Sequence, residues 1–219
     1  MTDEPAALPA ALLAASSALV ADALDRLGRR DQVMDPAIRP IAPDVVVVGR
    51  AFSVRVTTTE VVSDTPYQGE MDALSAMRPG DVGVYSVPVG NRAAIWGELF
   101  SCGAIGRGAK GVVVDGCIRD GRQIEALGFP VFCTGSSPFD TLGRAEVVEF
   151  GAAVRCGGVD VRTDDVIVAD RDGVVVVPQE LIIAVSEAIE TKQRLEQAAK
   201  DDLVGGRSIY EVWETYGVF

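Results

Sequence analysis

Gly111–Asp120 reads G-V-V-V-D-G-C-I-R-D. The β-branched run Val112–Val114 predicts a strand, and Asp115-Gly116 reads as the turn that ends it. Ile118–Leu127 then reads as mostly helix, closed by Gly128-Phe129-Pro130. A strand running straight into a helix is the repeating unit of an α/β sheet. The same junction sets a fixed cation, Arg119, beside a carboxylate, Asp120. A helix cap accounts for Asp120 equally well at this stage: Gln123, three residues on, makes a near capping box, and Arg119 is then a solvated side chain.

Outward from this junction the pattern alternates. Upstream, Leu12–Leu27 has helical spacing and stops at Gly28. Val45–Val48 and Ala51–Thr57 are strand-like and split by Gly49. Glu70–Met77 reads as a short helix ended by Pro79-Gly80, Asp81–Val87 as a strand, and Gly97–Arg107 as a helix. Downstream, Val131–Cys133 is strand, and from Val147 the character turns to β. Ala152–Arg155, Val166–Ala169 and Val174–Val177 are short strands separated by Gly157-Gly158 and by the turn Asp170-Arg171-Asp172-Gly173. Glu180–Lys200 is a long charged amphipathic helix, and Ser208 opens a last short one. The expectation is one α/β domain over residues 1–219. Residues 1–8 are expected as a flexible tail, and the helices of 180–219 are available to a subunit interface.

At 219 residues and 48% hydrophobic, the chain is long enough to build a core without disulfides. No apolar run reaches membrane-spanning length and the first residues carry no basic segment, so a soluble, cytoplasmic protein without membrane contact is expected. The net charge of -12 argues against nucleic acid as a partner, because phosphate contacts need a basic surface. Cys102, Cys117, Cys133 and Cys156 lack any C-x-x-C spacing and read as buried reduced thiols.

Histidine is absent, which removes Ser-His-Asp and Cys-His machinery and any His-ligated zinc. Lys110 precedes a strand, and Lys192 and Lys200 lie on a charged helix, so none sits in the apolar pocket that a Schiff-base lysine needs. Oxygen-only ligation favours a hard cation such as Mg²⁺ or Mn²⁺. Asp164-Asp165 and Asp170–Asp172 lack calcium-loop spacing and read as hairpin turns. Gly103, Gly106 and Gly108 make no dinucleotide fingerprint, and Trp96 and Trp213 read as core or interface residues. Asp115, at a strand end, could support Arg119. Gly97-Glu98-Leu99-Phe100 opens a helix whose unpaired N–H groups could cradle a carboxylate or phosphate, or could simply start a helix with Glu98 well placed against its dipole.

Several segments, in order, resemble one family. They are V-A-D-A-L-D-R-L-G (20–28), V-V-G-R-A-F-S-V (47–54), R-P-G-D-V (78–82), W-G-E-L (96–99) and G-A-K-G-V-V-V-D-G-C-I-R-D (108–120). G-F-P-V-F (128–132), A-D-R-D-G-V-V-V-V-P (169–178) and I-Y-E-V-W-E-T-Y-G-V-F (209–219) continue the series. Together they are similar to the 4-hydroxy-4-methyl-2-oxoglutarate aldolases and the RraA-type regulators of ribonuclease E. T-D-D (163–165) departs from the family's usual P-G-D.

The resemblance implies a compact β/β/α swivelling-domain-like fold with a C-terminal helical segment, assembled as a homotrimer or homohexamer. It implies that backbone amides of Gly97, Glu98, Leu99 and Phe100 hold a substrate carboxylate and that Arg119 binds the pyruvyl part. Asp120 is then the direct ligand to Mg²⁺, and Glu98 acts through a metal-bound water; some members of the family also use a Glu from a neighbouring subunit's C-terminal helix, for which Glu196 is the candidate here. The implied reaction is retro-aldol cleavage of a 4-hydroxy-2-oxo acid to pyruvate, with oxaloacetate decarboxylation at the same site. Metal and Arg119 would share the charge of the enolate. The competing class is a non-catalytic regulator that binds a ribonuclease. Quinone methylation has no support, because no S-adenosylmethionine-type Gly-rich loop follows a first strand.

Overall fold

Valine-rich strands that are buried on both faces organise this protein. The computed structural model describes residues 7–218. In chain order the helices are α1 (Ala10–Leu13), α2 (Ser17–Arg26), α3 (Gln68–Ala76), α4 (Glu98–Gly106), α5 (Gly121–Leu127), α6 (Ile182–Val204) and α7 (Ile209–Tyr216). The strands are β1 (Arg39–Pro40), β2 (Val47–Thr58), β3 (Asp81–Ser86), β4 (Ala94–Trp96), β5 (Gly111–Ile118), β6 (Val131–Ser136), β7 (Ala145–Phe150), β8 (Val154–Cys156), β9 (Val159–Val161), β10 (Val166–Asp170) and β11 (Gly173–Val177).

Among the described residues, nine strands form one mixed sheet in the order β1-β6-β5-β3-β2-β10-β11, with β4 beside β5 and β7 beside β2. β2, β3, β5 and β6 run parallel, as does β4 with β5, while the remaining pairs are antiparallel. β8 and β9 form a separate hairpin. The sheet nearly closes on itself. Met34 N–H donates to the Val174 carbonyl of β11, and the Arg39 guanidinium reaches the carbonyls of Arg171 and Asp172. Residues 32–40 thus span from β11 to β6.

Side chains alternate between an inner and an outer layer, as the two-residue period of a strand requires. Val113, Phe132, Ile167, Val174 and Val176 point into the closed interior with Val82 and Val84. Their neighbours Val112, Val114 and Val131 pack outward under α3, α4 and α5 with Met77 and Ile124. Val166, Val168, Val175 and Val177 pack outward under α1, α2 and α6 with Leu24, Val185 and Ile189. A sheet covered on both faces needs near-continuous apolar strands, which is why these runs do not alternate with polar residues.

Several boundaries differ from expectation. The Leu12–Leu27 helix is two helices, because the Ser16 hydroxyl caps α2 through the Leu19 N–H and the Asp170 carboxylate takes both the N–H and the hydroxyl of Ser17. Gly49 does not split a strand, since β2 runs through it. A Cβ there would lie 2.5 Å from the Gly80 carbonyl, so glycine permits the approach of the next strand. Asp115-Gly116 lies inside β5 at an irregularity and is not a turn, and helix α5 starts only at Gly121.

The expected tail falls partly outside the described residues, and Leu8 packs against the α1–α2–α6 core. All four cysteines are free, but Cys102 is exposed and Cys117 only half-buried. Lys192 is buried among carboxylates, with Nζ at 2.7 Å from Asp22 and 3.2 Å from Glu196, which keeps it protonated. Trp96 is core, whereas Trp213 is 53% exposed. No helix among the described residues is long and apolar enough to cross a membrane.

Candidate active site

β4 and β5 end side by side. The Arg119 N–H donates to the Trp96 carbonyl at 2.9 Å, which brings the start of α4 against the start of α5 at the C-terminal ends of two parallel strands. This is where α/β sheets hold ligands. A cavity of about 490 Å³ opens there, with Gly97, Glu98, Leu99, Phe100, Arg119 and Asp120 on its wall. The six residues read from two separate motifs therefore share one cavity. Trp96 forms a stiff floor, its Nε1–H bonded to the Ser101 hydroxyl at 2.8 Å and its ring packed against Tyr85, Phe100 and Phe129.

Asp120 occupies the N-cap position of α5 without capping it. Its backbone is left-handed, at φ 60° and ψ 30°, and its carbonyl accepts from Gln123 and Ile124. That conformation turns the carboxylate away from its own helix and towards α4, where Oδ2 accepts the Glu98 N–H at 3.2 Å. Gly97 makes the approach possible, because a Cβ there would lie 2.9 Å from Asp120 Oδ2. The first-turn N–H groups of a helix lack intrahelical acceptors. With the Glu98 N–H committed to Asp120, the expected Gly97–Phe100 cradle narrows, and within the first turn of α4 the N–H groups of Leu99 and Phe100 stay available.

Arg119 is held from two sides. Asp140 Oδ2 accepts from its guanidinium at 2.8 Å, and Asp120 Oδ2 lies 3.7 Å from Nε. Asp140 Oδ1 accepts the Tyr67 hydroxyl at 3.1 Å and the Leu142 N–H at 3.0 Å. Partial burial works against ionisation of Asp140, but the Leu142 N–H, Arg119 and Tyr67 outweigh it and hold its carboxyl below the usual carboxylate range. Burial, and then the bond to Asp140, push the Tyr67 hydroxyl up. Glu70, also on the cavity wall, is pushed up chiefly by burial.

Tyr67 and Asp140 escaped the motif reading. Both line the cavity, and Tyr67 shares with Asp120 a left-handed backbone, at φ 62°. Non-glycine residues in that region cost about 1–3 kcal/mol each and concentrate at ligand sites. Asp115 does not support Arg119, because its carboxylate accepts the Gly157 N–H at 2.8 Å. Glu196 is engaged with Lys192 of its own chain.

These features define an α/β protein with a cavity at the carboxyl ends of its parallel strands. The chain belongs to the RraA-like family (Aldolase/RraA), whose model matches residues 17–176. It is similar to an uncharacterized protein of Methanocaldococcus jannaschii, 37% identical over 54% of this chain and 57% of that protein, so the chain spans little more than half of that relative. It is also similar to a protein of Halalkalibacterium halodurans named "Putative 4-hydroxy-4-methyl-2-oxoglutarate aldolase", 32% identical over 88% of each chain. Among solved structures it resembles Streptomyces coelicolor RraAS2, described as an unusual member of the RNase ES inhibitor RraA protein family. That match has a TM-score of 0.78 and 25% identity, and covers 90% of this chain and 99% of the other.

Proposed function

We propose that this protein is a carbon–carbon lyase that releases pyruvate from 4-hydroxy-2-oxo acids, 4-hydroxy-4-methyl-2-oxoglutarate among them, and that decarboxylates oxaloacetate at the same site. The observation that carries this reading is the convergence of Arg119, Asp120 and the free first-turn amides of α4 on one cavity. The name of the Halalkalibacterium relative supports the same chemistry.

The donor set fits a hard divalent cation. The described residues contain no group of three or more His, Cys, Asp or Glu side chains arranged around a metal. A protein-built cage of the zinc type is therefore not what this site offers. Mg²⁺ is commonly held by one or two carboxylates, with water and substrate completing its shell. Asp120, with Oδ1 uncommitted, and Glu98 beside it are the residues that would hold it. A cation there would supply Lewis acidity towards the 2-oxo group.

The chain's own groups do the rest. Arg119 presents a planar fork of donors to the pyruvyl carboxylate, and Asp140 fixes that fork in place. The Leu99 and Phe100 amides add fixed dipoles where negative charge is held. In the cleavage the C4 hydroxyl gives up its proton, the C3–C4 bond breaks, and its electron pair passes to the pyruvyl unit as an enolate facing Arg119. Protonation at C3 completes pyruvate, and the other fragment leaves as a carbonyl compound, with no net redox change.

A coupled pyruvate assay tests the reading. Chelator abolishes release, Mg²⁺ or Mn²⁺ restores it, and Asp120→Ala, folded by circular dichroism, releases none. Full activity in Asp120→Ala overturns the site. A second reading, a regulator that binds a ribonuclease, draws on the similarity to RraAS2 and on the charge of -12. A pull-down with ribonuclease E beside the pyruvate assay separates the two.

A further inference from the structure

The Arg119–Asp120 pair borders two cavities. Besides the one at the start of α4, both residues line a cleft of about 460 Å³ together with Ile118, Ser136, Ser137 and Pro138. β4, β5 and β6 are neighbours in the sheet and run parallel, and their C-terminal ends lie level, Trp96 pairing with Ile118 and Ile118 with Ser136. Three strand ends therefore meet at one place, where α/β sheets hold ligands. β4 leads into the amides of α4, β5 into Arg119 and Asp120, and β6 into two adjacent hydroxyls. The third end is fixed by the backbone as the other two are. The Ser137 N–H donates to the Ile118 carbonyl at 2.9 Å, and Pro138 disfavours helical backbone at Ser137. Ser137 lies just past β6, beyond the strand alternation that would send its side chain to the face opposite Ser136. Its Oγ accepts the Phe139 N–H at 3.4 Å, which leaves the hydroxyl proton to donate.

We infer that Ser136 and Ser137 determine specificity by binding the distal carboxylate of a dicarboxylic 4-hydroxy-2-oxo acid, the one carried beyond C4. The inference rests on the lyase reading above and narrows it to dicarboxylates. In that reading the pyruvyl carboxylate lies on the β4–β5 side of the pair, between Arg119 and the Leu99 and Phe100 amides. The substrate then runs across Arg119 and Asp120, and its portion beyond C4 enters the cleft at the end of β6. An ionised carboxylate only accepts hydrogen bonds and takes several at once, so two neighbouring hydroxyl donors match it. Such bonds to a charged acceptor are stronger than those between neutral groups. The two serines touch the part of the substrate that leaves as the carbonyl fragment, and have no role towards the pyruvyl half.

The test uses the full chain with Mg²⁺ and two substrates, 4-hydroxy-4-methyl-2-oxoglutarate and 4-hydroxy-2-oxopentanoate, which lacks the distal carboxylate. A third readout is the exchange of pyruvate methyl protons in D₂O, followed by NMR, which engages the pyruvyl half alone. Wild type is expected to favour the dicarboxylate in kcat/KM by at least ~10-fold, the scale of hydrogen bonds to a charged group. In the double variant Ser136→Ala/Ser137→Ala, folded by circular dichroism, that preference falls at least ~10-fold through loss on the dicarboxylate, while pyruvate exchange is unchanged. An equal fall in cleavage and exchange marks displacement of Arg119 or Asp120 and overturns the inference. A wild type without preference for the dicarboxylate, or a double variant that keeps it, also overturns the inference and leaves the lyase reading standing. A wild type that neither releases pyruvate from either substrate nor exchanges its protons refutes the lyase reading, and the inference with it.

Discussion

Gly97→Ala isolates the geometry of the site from its chemistry. Gly97 is extended, at φ -157° and ψ -173°, so alanine meets no dihedral penalty. The whole effect comes from one added carbon, which would lie 2.9 Å from Asp120 Oδ2, 3.3 Å from Arg119 Cγ and 3.5 Å from Arg119 Nε. The first contact is too short to persist, so the carboxylate has to move by about half an ångström, enough to stretch or break its bond to the Glu98 N–H. Because the Asp120 side chain is 38% exposed, it can move without disturbing the core. The stability cost is therefore about 1 kcal/mol, at the low end for overpacking, or a fall in Tm of roughly 2–4 °C for a chain of this length. Activity is far more sensitive, since a misplacement of ~1 Å can cost ~100-fold. A loss of at least ~10-fold in kcat/KM for pyruvate release is expected. Gly121→Ala is the control: its Cβ would meet only Ile118 Cδ1 at 3.8 Å, and activity should be unchanged. Wild-type kcat/KM in a folded Gly97→Ala protein would refute the claim that the Gly97–Asp120 contact sets the site.

Asp140→Asn removes the anion that fixes Arg119, and KM for the 2-oxo acid should rise about 10-fold with a smaller fall in kcat, read from steady-state kinetics. Because the folded state holds the Asp140 carboxyl below its ordinary value, the stability it contributes is complete above about pH 5 and is lost as pH falls through that lowered value. The Tm gap between wild type and Asp140→Asn should thus be flat from about pH 5 to 8 and close in more acidic solution; a gap that instead opens there contradicts the assignment. Gly49→Ala would drive a Cβ into the Gly80 carbonyl and Val82 Cγ2, at 2.5 and 2.8 Å. Unlike Asp120, these atoms are held within the sheet, so denaturant unfolding should show a loss of about 3 kcal/mol or an insoluble product. Asp120→Gly relieves the left-handed backbone and Asp120→Ala does not, so the glycine variant should be the more stable by about 1 kcal/mol while both are inactive.

The parts of the fold that were legible in the sequence are those where local pattern and burial agree. Val112–Val114, Val166–Ala169 and Val174–Val177 read as strands because each is covered on both faces and carries an unbroken apolar run. The misread boundaries share one cause, a partner far along the chain. Ser16 and Ser17 interrupt a good helical pattern because Asp170, 153 residues away from Ser17, binds its hydroxyl and N–H. Asp115-Gly116 has turn chemistry, yet its carboxylate is taken by Gly157 and its missing Cβ makes room for Val87. The same division holds at the site. Arg119-Asp120 and Gly97–Phe100 stand out because each marks a strand-to-helix junction. Tyr67 and Asp140 meet across 73 residues, and no spacing rule announces such a pair.

The two readings left open for Asp120, helix start or site residue, turn out not to compete. A capping aspartate has an extended backbone and folds its carboxylate back onto its own first turn. Asp120 is left-handed instead, and so divides the two tasks between backbone and side chain. Its carbonyl accepts from Gln123 and Ile124 and begins α5, while its carboxylate, turned to the other side, serves α4 and the cavity. Aspartate is among the few residues that enter this region at modest cost, and the strain is local because Gly97 clears the space in front of it. The sequence pairing of Gly97 with Asp120, 23 positions apart, thus has one physical reason: the carboxylate can face the cavity only where the opposing backbone carries no Cβ.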